Sequence, residues 1–171
     1  MNIRIGATIG LAAGLLMLTA GAAHADSSVI KHPGHHPDYS WAIEPHAVVF
    51  PFDPPGRARA GGGLGARADI VLMENGFIKT INNSVAVSFG ADFVFANGAG
   101  IWLPGALQWN FWLSRNWSVF GEPGVGVYLG KHSFGAPIFA VGGRFLFNDD
   151  IALVLRAGYP YITIGAAFHM D

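Results

Sequence analysis

The 171-residue chain has no cysteine, and only 12% of its residues are charged. Without cysteine there is no disulfide scaffold, no Cys-ligated zinc site and no lipid anchor on a mature N-terminal Cys. An ordinary soluble domain carries about 25% charged residues, so this chain has half the usual means of keeping a surface in water. A basic surplus is also missing. The net charge of −1 argues against an electrostatic nucleic-acid binder, which gathers cations to displace phosphate counterions. Long apolar runs are scarce: beyond Ile5–Gly21, glycine, proline and charge break every stretch before the roughly 20 residues that a membrane helix needs.

What is abundant is apolar and small. Hydrophobic residues make up 51% of the chain, with 24 Gly, 13 Phe and 5 Trp, which excludes disorder. Arg4 precedes the single long apolar run, and Ala23-His24-Ala25 follows it with small residues where a signal peptidase reads. Residues 1–25 therefore form a candidate signal peptide cleaved after Ala25. Its removal costs one charged residue, Arg4.

With no further helix to spend its hydrophobicity on, the remaining chain has one other way to span a bilayer. Backbone groups in lipid must all be bonded internally, which leaves the closed β-barrel. Such a barrel needs segments of about ten residues that are apolar at alternate positions. Ser84–Ala96 has this period: Val85, Val87, Phe89, Phe93 and Phe95 alternate with Ser84, Ser88, Gly90 and Asp92. Ala136–Phe147, Ile151–Arg156 and Trp117–Gly130 repeat it, and period two is the signature of a strand.

Tight polar turns at Ser114–Asn116 and Asn148–Asp150 divide the chain, with looser Gly-rich connections at 97–100 and 131–135. The expected strands are 41–52, 57–72, 83–96, 101–113, 117–130, 136–147, 150–158 and 160–170. Eight is an even number, so both ends of the barrel lie on one side, the periplasmic one, together with the tight turns. The first strand is the least regular, since Pro45 and Pro51 fall within it and proline cannot donate to a ladder. The fold expected is all-β, an antiparallel transmembrane β-barrel of about eight strands over 41–171. Residues 26–40, rich in His, Pro, Gly and Ser, are expected as a flexible periplasmic tail.

The last strand carries a resemblance. Thr163, Gly165, Phe168 and Met170 stand as a polar residue, a glycine and two apolar residues at the spacing of the C-terminal assembly signal of bacterial outer-membrane barrels. Met170 replaces the commoner aromatic residue, and Asp171 extends beyond it. With the leader and the period-two chain, the sequence resembles small eight-stranded outer-membrane barrels of the OmpA/OmpX type, especially the Gly-rich "outer membrane protein beta-barrel" sequences. The resemblance implies an outer membrane of the Gram-negative type, its lipid as surroundings, and the barrel-insertion machinery as a transient partner.

Aromatic positions support the same reading. Trp109 and Trp117 flank the turn at 114–116, Phe145 and Phe147 approach the next, and Tyr159 sits at the far end of its strand, as two girdles would require. The opposite phase collects Glu44, His46, Arg67, Asp69, Asp92, Gln108, Asn110, Glu122, Tyr128, Arg144, Arg156, Thr163 and His169. Arg67, Asp69, Asp92, Glu122, Arg144 and Arg156 are expected to pair inside, because eight strands leave an interior just wide enough for side chains to fill. Glu122, Arg144 and Arg156 fall at similar depth and are expected in mutual contact.

The expected role is structural or surface-interacting, without cofactor, metal or nucleic acid. Three other readings compete. One is a narrow, porin-like channel. Another is a lipid-modifying enzyme, for which His132-Ser133 is the candidate pair, although neighbouring strand residues face opposite ways. The third is a water-soluble, lipocalin-like barrel with its apolar face inward. His32, His35 and His36 could in principle capture a metal ion, but their segment has no regular period to fix a geometry.

Overall fold

A computed structural model describes residues 28–51, 61–95 and 99–171. The leader at 1–25 lies outside the described residues, as do residues 52–60, which include the start expected for the second strand, and residues 96–98. Eight strands form: β1 Trp41–Phe50, β2 Gly61–Met73, β3 Asn83–Phe95, β4 Ala99–Trp112, β5 Trp117–Leu129, β6 Phe134–Leu146, β7 Ile151–Tyr159 and β8 Ile162–Met170. Each pairs antiparallel with the next, and β8 returns to β1 to close the barrel, with Trp41 opposite Met170. No helix occurs among the described residues.

The prolines fit the barrel by using gaps in single ladders. β1 runs on through Pro45 and ends before Pro51, so the predicted irregularity does not break it. Pairing of β1 with β8 skips Glu44 and Pro45, while pairing with β2 continues through both. Pro104 falls in the same kind of gap between β3 and β4, and Pro123 in one between β4 and β5. A residue without an N–H costs one bond on one side and leaves the other ladder whole.

Along every strand the two faces alternate, and the apolar face is outward. Leu64, Phe89, Phe93, Val125, Phe139, Val141 and Ile164 stand exposed on the outer surface. Among the described residues, no strand position on the outward phase carries a charge. The lipocalin-like arrangement would require the reverse.

The end holding Trp41 and Met170, here the terminal end, also bears the connections at 74–82, 113–116 and 147–150. The opposite loop end bears the connections before β2, β4, β6 and β8. Residues 28–40 are not a loose tail. Val29 N–H donates to the Leu113 carbonyl and Asn82 N–H to that of Ile30, while Val29 and Tyr39 are buried. This stretch lies across the terminal end and joins an apolar layer with Ala42, Trp112, Phe120, Leu146 and Val154. The period-two test cannot register such packing, because the buried residues are one valine and one tyrosine in an aperiodic stretch.

Candidate functional site

Inward strand positions build the one concentrated set of polar chemistry. β1 contributes Glu44 and His46, β2 Arg67 and Asp69, β3 Asp92, β4 Gln108, β5 Glu122, β6 Arg144 and β7 Arg156, all buried. Neighbouring register brings Glu44 beside Arg67 and Gly65 beside Asp92. Gly65 is glycine for want of space: a Cβ there would fall onto the Asp92 carboxylate.

Arg156 is the hub. Its Nε lies 3.0 Å from both carboxylate oxygens of Glu122, and its Nη1 donates to Glu44. Gln108 Nε2 donates to Glu122 at 2.7 Å and its carbonyl accepts from Arg144 Nη2 at 3.1 Å. Arg144 also pairs with Asp69 at 3.3 Å. His46 Nε2 meets Asp92 Oδ1 at 2.8 Å, and its Nδ1 faces the Glu44 carbonyl at 3.1 Å. Arg67 stands 3.7 Å from Glu122 and 3.9 Å from Asp92.

The structure places Arg67, Asp69, Asp92, Glu122, Arg144 and Arg156 on the inward phase, each within 3.9 Å of an opposite charge, but not with the mutual contact expected of Glu122, Arg144 and Arg156. Glu122 meets Arg156 but not Arg144, which reaches Glu122 only through Gln108. On the β5–β6 ladder Arg144 lies opposite Ser118, while Ala140 lies opposite Glu122. Arg144 therefore sits nearer the terminal end, where Asp69 and Tyr39 are its partners.

Each end of this layer finishes on a tyrosine that period-two reasoning missed. Arg144 Nη1 donates to the Tyr39 hydroxyl, and Tyr39 stacks on His169 with ring centroids 4.0 Å apart. At the loop end Arg67 Nη1 donates to Tyr161 at 3.1 Å, with the guanidinium 4.6 Å over the ring. Tyr39 lies before β1, outside any strand period; Tyr161 falls within the expected strand 160–170 on the phase of Thr163 and His169, and the structure places it between β7 and β8. The sequence signal they share is an aromatic residue one or two positions after a proline, Pro160 and Pro37, at a strand boundary. Beyond Tyr161, Phe50, Val48, Val94, Trp102 and Ile138 form a second apolar layer. Trp102 and Trp112, one in each layer, have no solvent exposure.

Among the described residues, aromatic rings lie at both ends of the lumen and bonded arginines cross it between them. Ser88, Asn110 and Thr163 face it too, and their polar side-chain atoms find no protein partner. His132 and Ser133 are exposed in the β5–β6 loop. His36 stacks on Trp112 at 5.4 Å and turns its ring nitrogens to the Pro37 and Glu74 carbonyls. No group of three or more potential metal ligands occurs among the described residues.

The expected girdle residues Trp109, Trp117, Phe145, Phe147 and Tyr159 are on the outward phase, and Trp117, Phe145 and Phe147 pack in a chain with centroids 4.9 and 5.3 Å apart. Trp41 and Phe111 join them at the terminal end. The C-terminal pattern divides by face: Thr163 and Gly165 point inward, Phe168 and Met170 outward.

No protein-family model matches the chain, and no curated protein matches it. Among solved structures it is similar to the outer membrane protein Ail of Yersinia pestis in a phospholipid bilayer nanodisc. The identity is 13% and the TM-score 0.47, over 78% of this chain and 100% of that chain.

Proposed function

We propose that the chain is an outer-membrane barrel whose wall sits in lipid and whose lumen is a sealed, ion-paired filling, with a structural or surface-interaction role and no catalysis. The observation that carries this reading is the sorting of charge. Every charged strand residue turns inward, and the outward phase exposes aromatic and branched apolar side chains around the barrel. In water that surface would associate, whereas in a bilayer it is the required one. The strands, from 9 to 14 residues, suit an apolar band about 25 Å tall. A leader at 1–25 would supply export, and the Thr163–Met170 pattern would supply recognition by the barrel-insertion machinery.

Heat-modifiable migration tests the reading. Extracted from membranes, the protein is expected to run as a compact species when unheated and to shift on boiling. Recovery in the soluble fraction with no shift would refute it.

A further inference from the structure

The β2–β3 connection is built as a foot rather than a simple turn. Asn83 clamps it: Nδ2 donates to the Ile78 carbonyl at 2.6 Å and to that of Ile81 at 2.8 Å, while Gly76 N–H donates to the Asn83 carbonyl at 2.8 Å. Trp109 Nε1 on the outer wall donates to Asn83 Oδ1 at 2.9 Å. Held this way, the connection folds back along the wall and covers Val85, an outward-phase residue left with 1% of its surface, whereas Phe89 on the same strand face keeps 46%.

The same clamp turns two apolar side chains outward. Phe77 packs edge-on against Trp109 with centroids 5.4 Å apart and remains 54% exposed; Ile78 remains 39% exposed. Trp109 continues to Phe111 at 4.7 Å. Lys79 follows at once, exposed, and is the one charge between Gly76 and Asn82. Ordering a loop in order to present apolar side chains costs free energy unless something covers them. Lipid continuous with that around the wall would cover them, and aromatic rings beside a cation suit the headgroup zone of a bilayer.

We propose that residues 76–79 are a lipid-interface anchor, with Phe77 and Ile78 in the acyl–headgroup boundary of the phospholipid leaflet at the terminal end and Lys79 on anionic headgroups. This rests on the reading of the wall as lipid-facing.

Because the chain has no cysteine, single-cysteine variants of the full protein can carry an environment-sensitive fluorophore at Phe77→Cys, Thr80→Cys or Phe89→Cys. The refolded proteins go into phosphatidylcholine vesicles with or without phosphatidylglycerol and with nitroxides at a shallow or a deep acyl position. The label at 77 is expected to emit to the blue and to be quenched by the shallow nitroxide, the label at 89 by the deep one, and the label at 80 by aqueous iodide. Lys79→Glu is expected to move label 77 toward water in vesicles containing phosphatidylglycerol alone; unchanged depth overturns the role of Lys79. If 89 meets deep nitroxide while 77 is as open to iodide as 80, the anchor is overturned and the lipid-facing wall stands. If 89 is also open to iodide, both fall. Shielding of 77 that varies with protein density in the membrane indicates a second copy and overturns the lipid assignment.

Discussion

Arg156 and Glu122 meet inside the lumen from strands one apart, β7 and β5, the guanidinium Nε equidistant at 3.0 Å from both carboxylate oxygens. Removing either partner strands a buried charge, with a cost of about 3–5 kcal/mol, whereas replacing both by apolar residues of similar volume removes the desolvation penalty as well. Glu122→Leu is therefore expected to be strongly destabilising, and Glu122→Leu with Arg156→Met less so than the two single losses added. Equilibrium unfolding of the refolded protein in urea measures this, and strict additivity would contradict the coupling.

A charge placed mid-wall tests which solvent the outer face meets. Phe89→Arg is expected to lower stability in a bilayer by about 2–4 kcal/mol. In a water-facing barrel it would be neutral.

Two glycines on one strand face opposite ways and predict opposite outcomes. A Cβ at Gly126 would collide with the indole of Trp102, while at Gly121 it meets nothing within 4 Å. Gly126→Val is expected to cost about 1–3 kcal/mol or more through overpacking, and Gly121→Val to be tolerated. The temperature at which the compact species is lost on unboiled gels would report both.

Tyr39 couples the segment before β1 to pH. Burial holds its hydroxyl above the ordinary tyrosine value, against the opposing pull of Arg144. A raised value means that its stabilisation is complete below the unfolded value and is lost as pH rises through the folded one. Protease access to residues 28–40 is expected to increase in that alkaline range. Tyr39→Phe should abolish this dependence, at a cost of about 1.5–3 kcal/mol at neutral pH for the bond lost to a charged donor.

Planar-bilayer recordings are expected to be silent, because Trp102 and Trp112 fill the lumen above and below the charged layer. Discrete openings by the full-length protein would replace the sealed lumen with the channel reading.

The wall was legible because its rule is local. A period of two sorts Phe89 from Ser88 without knowledge of any neighbour, and the polar turns at 114–116 and 148–150 set the count of strands. The six pairing residues were legible for the same reason, since phase alone puts them inside. Which of them touch was not, because partners across the lumen depend on register summed over several ladders; Arg144 therefore found Asp69 instead of Glu122. The caps were less legible: Tyr161 shares the phase of Thr163 and His169, but nothing in that phase marks it as a lid. Tyr39, Tyr161 and the clamp by Asn83 act from outside the repeating pattern or at its edge, where composition suggests only turns.

The junction of β1 with β8 has a bearing on how the wall is assembled. The other seven pairings join strands adjacent in the chain and can form as successive hairpins with small loop-closure entropy. The β1–β8 junction alone must bring the two extremes of the barrel sequence together, and it does so with a ladder interrupted at Pro45. It is the slow, non-local step that contact order penalises. Since Trp41 and Met170 lie side by side there, a short linker could join them and move the chain ends to another hairpin. Such a circular permutant would keep the finished wall and change only which pair of strands must search for each other last.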